Sequence, residues 1–162
     1  MKEGKYMNVI LRIIGLGMLN GSRTFTVPAL LSCRLAGSDE GLMGRVGVSR
    51  ALQVLALLEL IGDKVPGIPN RIEPPGMIGR GLMGAWVGAV LSRRHKRPPV
   101  IGALIGAVSA LIGAYIGFYT RRALTVSEDG EDEKLPDFPV ALAEDAIVIG
   151  GGSALLRAAL RD

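Results

Sequence analysis

Residues 100–120 carry no charged side chain, and this run constrains the fold more than any other feature of the chain. As a helix, its 21 residues are long enough to cross the hydrocarbon core of a bilayer, at about 1.5 Å rise per residue. Pro98 and Pro99 precede it, where a missing N–H is harmless at a helix start, and Arg121-Arg122 closes it. The pattern predicts a membrane-spanning helix.

Other segments follow the same logic. Pro74 to Ser92 has Arg80 as its only charge and ends in the cluster Arg93, Arg94, His95, Lys96, Arg97. With the next span it predicts a helical hairpin around a short basic turn. Phe138 to Leu156 is span-length but contains Glu144 and Asp145, and Gly150-Gly151-Gly152 is a candidate break near its end. Ala51 to Gly62 is shorter, contains Glu59, and could extend back toward Gly44. Met7 to Leu35 holds two apolar pieces separated by Asn20-Gly21-Ser22-Arg23. It reads either as one kinked span or as two half-helices, because Asn-Gly is strong punctuation.

Composition supports the same class. Gly supplies 23 of 162 residues and aromatics only 4%, so a soluble core would lack large side chains to fill it. In lipid, small residues instead let helices approach closely. The net charge of +4 accompanies basic residues that punctuate apolar runs without forming a long arm, which argues against nucleic acid and for a membrane boundary. Cys33 is the single cysteine, so neither an intrachain disulfide nor a cysteine metal framework is expected. The N-terminus is basic and then apolar, but Arg12 interrupts it and no clear cleavage site follows. It reads as a retained first segment.

Placing the cluster at 93–97 in the cytoplasm by the positive-inside tendency puts the C-terminus inside and the acidic stretch outside. That stretch, residues 123–137, reads as a solvated extramembrane loop within a single membrane domain spanning 1–162. Its acids lack the spacing of a calcium-binding loop. The N-terminus lies outside if residues 7–35 cross once and inside if they form a re-entrant pair. Lys2 and Lys5 favour the inside.

Gly84 and Gly88, Gly102 and Gly106, and Gly113 and Gly117 are each four residues apart. On helices they line small-residue faces suited to close packing. Gly-Leu-Met-Gly occurs at 41–44 and 81–84, and Ala-Leu-Leu-Glu ending at Glu59 resembles Ala-Leu-Ala-Glu ending at Glu144. These are faint signs of duplication. The charged residues Arg23, Glu59, Asp63, Lys64, Arg80, Glu144 and Asp145 fall within or beside the apolar segments. Ionisable groups at membrane depth are costly and usually pair inside a bundle or line a polar path. Catalysis is poorly supported: His95 stands alone in the basic turn, no phosphate-binding glycine loop is present, and a hydrolase based on Asp63 or Glu144 is only a minor alternative.

Gly21-Ser22-Arg23, Pro28-Ala29-Leu30, Glu59 with Asp63-Lys64-x-Pro66, Gly79-Arg80 and Val140-Ala141-Leu142-Ala143-Glu144-Asp145 form a familiar set. The chain resembles a family of small bacterial membrane proteins known as domain of unknown function number four-one-two-six. The resemblance extends over nearly the whole chain and implies a multi-spanning inner-membrane protein, with no reaction, substrate or cofactor attached.

The expected fold is therefore an all-α, multi-spanning transmembrane bundle with Gly-rich packing and a first segment that is kinked or broken. The expected function is a small transporter or channel for an ion or small solute, assembled as a homo-oligomer among membrane lipids. The alternative is a non-transporting scaffold in which the same charges are buried pairs. No metal, cofactor or nucleic acid is expected.

Overall fold

A computed structural model describes residues 2–62, 74–125 and 136–161. Among these residues the chain is all-α. The helices are α1 (Lys2–Ser22), α2 (Thr26–Leu35), α3 (Val46–Gly62), α4 (Pro74–Arg94), α5 (Pro99–Thr125) and α6 (Asp137–Arg161). A short 3₁₀ turn, Gly41–Gly44, joins α2 to α3. Gly37 and Gly41 take positive φ there, a conformation that lacks a steric cost only without a Cβ.

The first segment is two helices, and the chain breaks at residues 23–25. Packing partners give their directions. Gly15 lies against Leu155 and Leu19 against Gly151, so α1 runs antiparallel to α6. Val27 and Leu30 then return to Gly152, and Arg34 donates to the Ser153 carbonyl at 3.4 Å. The second helix therefore folds back beside α6 instead of continuing along α1. In turn α3 is antiparallel to α2: Ser32 meets Ser49 at one end, and Thr24 and Phe25 meet Glu59 at the other.

Close packing of α4 and α5 follows from their small residues. A Cβ on Gly88 would collide with the Gly102 carbonyl, and one on Gly106 with the Gly84 carbonyl. On its other side α5 receives α1. Gly21 lies against the backbone of Ala110 and Ala114, Gly113 lies against that of Met18, and Gly117 faces Ser22. Glycine thus removes the side chains that would hold three backbones apart.

Three sequence readings change. Gly150-Gly151-Gly152 does not interrupt α6, which is continuous to Arg161. Gly151 and Gly152 instead admit Leu19 and Leu30, so tertiary packing offsets their poor helix propensity. The two Gly-Leu-Met-Gly copies are not equivalent, since the first forms the 3₁₀ turn and the second lies within α4. At its end α5 runs on through Thr125, into the segment read as loop; residues 126–135 lie outside the described residues.

The core is mainly apolar, yet it also takes in charged and amide side chains while large apolar ones stay outside. Arg23, Arg80, Asp145 and Asn20 are buried, while Leu57, Leu58, Ile61, Leu104, Ile112 and Ile147 are exposed. By length and composition, Pro99–Thr125 and Phe138–Arg161 can cross a membrane.

Gly88→Val should lower thermal stability in detergent by an overpacking cost of about 1–3 kcal/mol. Gly150→Ala should be neutral or stabilising by up to about 1 kcal/mol, because a Cβ there meets nothing within 4 Å. Equal melting temperatures for the two variants would contradict the α4–α5 crossing.

Candidate functional site

The break between α1 and α2 gathers most of the described ionisable groups singled out from sequence. Helix α1 ends where Gly21 settles onto α5, and the chain then turns through Arg23, Thr24 and Phe25. The N–H groups at the start of α2 have no preceding helical turn to accept them. Glu59, near the end of α3, supplies the acceptor. Thr24 N–H donates to its Oε1 at 2.6 Å and Phe25 N–H to its Oε2 at 2.9 Å. The anion that meets this helix N-terminus is thus a carboxylate of the chain itself, where the helix dipole favours it.

Arg23 reaches the other way, into α6. It is 1% exposed. Its Nη2 lies 2.6 Å from Asp145 Oδ1 and 4.0 Å from Glu144 Oε2. The shorter contact is an ion pair whose angle falls outside hydrogen-bond geometry. Arg121 of α5 approaches the same Glu144 oxygen at 3.7 Å. Arg23, Arg121, Glu144 and Asp145 thus meet where α1, α5 and α6 come together. Adjacent helix positions point about 100° apart, which separates the neighbours: Asp145 is buried beside Arg23, whereas Glu144 is half-buried and faces outward.

Asn20, one turn before the break, donates from Nδ2 to the Arg80 carbonyl at 3.1 Å and is fully buried. Arg80 is itself buried in α4, not at a solvent boundary. The structure therefore brings Arg23, Glu144 and Asp145 into one cluster, sets Glu59 at the neighbouring backbone, and joins Arg80 to the same region through Asn20. Asp63 and Lys64 lie outside the described residues.

Arg121 and Asn20 were missed as site residues. Arg121 reads in sequence as the end of a span, and only the approach of α6 to α5 makes it a partner of Glu144. Asn20 reads as punctuation, although a polar amide closing an apolar helix was a usable signal.

Beside the cluster, α1, α5 and α6 enclose a largely apolar groove of about 540 Å³. Among the described residues no group of three or more His, Cys, Asp or Glu side chains could hold a metal ion.

The profile of the family described as Domain of unknown function (DUF4126) matches residues 7–160. The chain belongs to that family. Neither curated proteins nor solved structures give a match. The DUF4126 assignment thus covers the break, the ion cluster and the groove, and carries no activity with it.

Removing one partner of a buried ion pair costs about 3–5 kcal/mol. Arg23→Gln and Asp145→Asn should each destabilise this DUF4126 chain on that scale. The double variant should lose less than the sum, with a coupling of about 0.5–3 kcal/mol. A thermodynamic cycle from unfolding in matched micelles measures this, and strict additivity would show that the pair contributes nothing.

Proposed function

We propose that this chain is a multi-pass protein of the bacterial cytoplasmic (inner) membrane that works as a small transporter or channel for an ion or small solute. Its working site is the break at residues 23–25. One observation carries the reading: a helix is interrupted inside the bundle, and the break is met by ionisable groups from two other helices, the buried Asp145 and the partly buried Glu59. Broken helices with polar groups at the gap are how membrane carriers form polar sites inside an apolar medium. A bundle held only for structure could close the same gap with apolar contacts and an unbroken helix. Within this scheme Glu144 is the mobile partner, because it is shared between Arg23 and Arg121 at ion-pair distances. A proton or cation that neutralises it would release one arginine. The exposed apolar faces of α3 and α5 are then lipid contacts or contacts between copies in a homo-oligomer.

Orientation follows from the ends of the helices. His95 meets the Ala159 carbonyl at 3.0 Å, and Arg94 pairs with Glu40 at 3.0 Å. The turn at 93–97, the connection at 36–45 and the end of α6 therefore share one end of the bundle. That end also carries Arg34, Arg45, Arg50, Arg157 and Arg161, which favours the cytoplasmic side. Because α2 folds back, the N-terminus joins it there.

Two measurements test the proposal. In a Cys33→Ser background, Glu3→Cys should resist a membrane-impermeant maleimide in intact cells, and Gly130→Cys should react. Labelling of Glu3→Cys from outside would overturn the topology. In sealed liposomes, the purified protein should give saturable flux of an ion or small solute that drops at least about tenfold in Glu144→Gln/Asp145→Asn at equal incorporation, equivalent to about 1.4 kcal/mol in barrier. Flux unchanged in that variant would remove the acids from the path. A folded, inserted protein with no flux across a broad panel would favour the scaffold.

A further inference from the structure

We infer that the end of α1 binds a bare monovalent cation of sodium size, held by the main-chain oxygens of Asn20 and Gly21 and by Asn20 Oδ1. The site lies at the break already proposed as the working site; it rests on that reading for the use of the ion, not for its binding. A helix continuing past residue 22 would give the Asn20 carbonyl the Thr24 N–H and the Gly21 carbonyl the Phe25 N–H. Here both N–H groups go to Glu59 instead. The last turn of α1 closes one residue earlier, where Arg23 N–H donates to the Leu19 carbonyl at 3.4 Å. The carbonyls of Asn20 and Gly21 therefore point along the helix axis into the break without their helical donors. Both residues are buried.

The Asn20 side chain is an independent sign. It is fully buried, and its Nδ2 donates to the Arg80 carbonyl, yet its Oδ1 has no hydrogen-bond partner among the described residues. Thr24, just past the end of α1, touches Gly79 in the same turn of α4, so the Asn20 amide lies at the level of the break. The atoms left over are acceptors, two carbonyls and one amide oxygen, at the helix end where the dipole is negative. Buried acceptors without donors are costly. A water molecule has two hydrogens to share among three acceptors, whereas a cation can be coordinated by all of them. Broken membrane helices hold sodium ions through carbonyls freed in this way. On the α2 side of the break, Thr26 Oγ1 is also buried without a partner and is an oxygen of the same hard class. Arg23 turns its guanidinium away from this end, toward α6. The three ligands are neutral and Glu59 is engaged by two N–H groups, which suits a single charge, because divalent ions draw carboxylates into their shell. Asn20 Oδ1 is sealed from solvent, so the ion sits there without its water, and sodium fits better than the larger potassium.

The test is equilibrium binding of radioactive sodium ion to the purified full chain in detergent, in choline chloride, which requires no flux. Wild type should bind it saturably, with unlabelled sodium competing at least about tenfold better than potassium. Asn20→Ala, which removes Oδ1, should weaken binding by about tenfold or more. Asn20→Asp keeps an oxygen there and adds a charge, so it should retain sodium and let calcium compete at least about tenfold better than in wild type. Melting curves show which variants fold, and the calcium result with Asn20→Asp decides the matter if Asn20→Ala does not. Absent saturable binding, equal competition by potassium, wild-type binding in a folded Asn20→Ala, or unchanged calcium competition in Asn20→Asp would each overturn the proposal. Binding without flux would leave the cation site standing and count against transport, while flux without binding would do the reverse.

Discussion

A helix interrupted inside a bundle must find partners for the backbone groups it gives up, and much of this structure follows from that requirement. At a water-exposed break, solvent would satisfy the N–H groups of Thr24 and Phe25. Against apolar neighbours the protein must do so itself. Glu59 meets both, which obliges α3 to return to the level of the break and pairs it antiparallel with α2. The same interruption leaves Arg23 buried, and a buried guanidinium needs an acid. Asp145 provides it, which fixes the height of α6 against α1. The placement of two helices is thus coupled to three residues of irregular backbone.

Glycine makes this arrangement reachable. Arg23 can meet Asp145 only if α1 lies deep between α5 and α6, and α1 can lie there only because Gly17 and Gly21 rest on the backbone of α5. The contact between α4 and α5 uses the same device at Gly84, Gly88, Gly102 and Gly106. Close approach gives each helix extensive van der Waals contact without large side chains. It also leaves the larger apolar residues, such as Leu104, Ile112 and Ile147, on the outside. In water such exposure would be unfavourable, and beside lipid tails it would be neutral.

Much of the helix layout was legible in the sequence, because uncharged runs, flanking prolines and terminal arginines each have a local physical meaning. The break was legible for the same reason: Asn20-Gly21-Ser22-Arg23 combines turn residues with a charge inside an apolar stretch. What no local rule supplies is direction. A kinked crossing and a fold-back pair have the same sequence signature, and only contacts with α6 distinguish them. Glu59 illustrates the other limit. Its charge marked it as a site residue, but capping a helix 34 residues earlier is a property of the assembled bundle. Gly150–Gly152 misled in the opposite sense, since a weak local preference gave way to the space that α1 and α2 require.

The ion cluster is hard to explain by stability alone. Removing four charges from water is costly, and apolar replacements of similar volume often match or exceed such clusters in stability. Its geometry also is not that of a uniformly rigid clamp. Asp145 and Arg23 are in close contact, whereas Glu144 lies at 4.0 Å from one arginine and 3.7 Å from the other. One helix position thus separates an acid locked in the interior from an acid that lines the groove. The groove and the interrupted helix are therefore connected across a single side chain, Glu144, which lines the one and approaches Arg23 of the other.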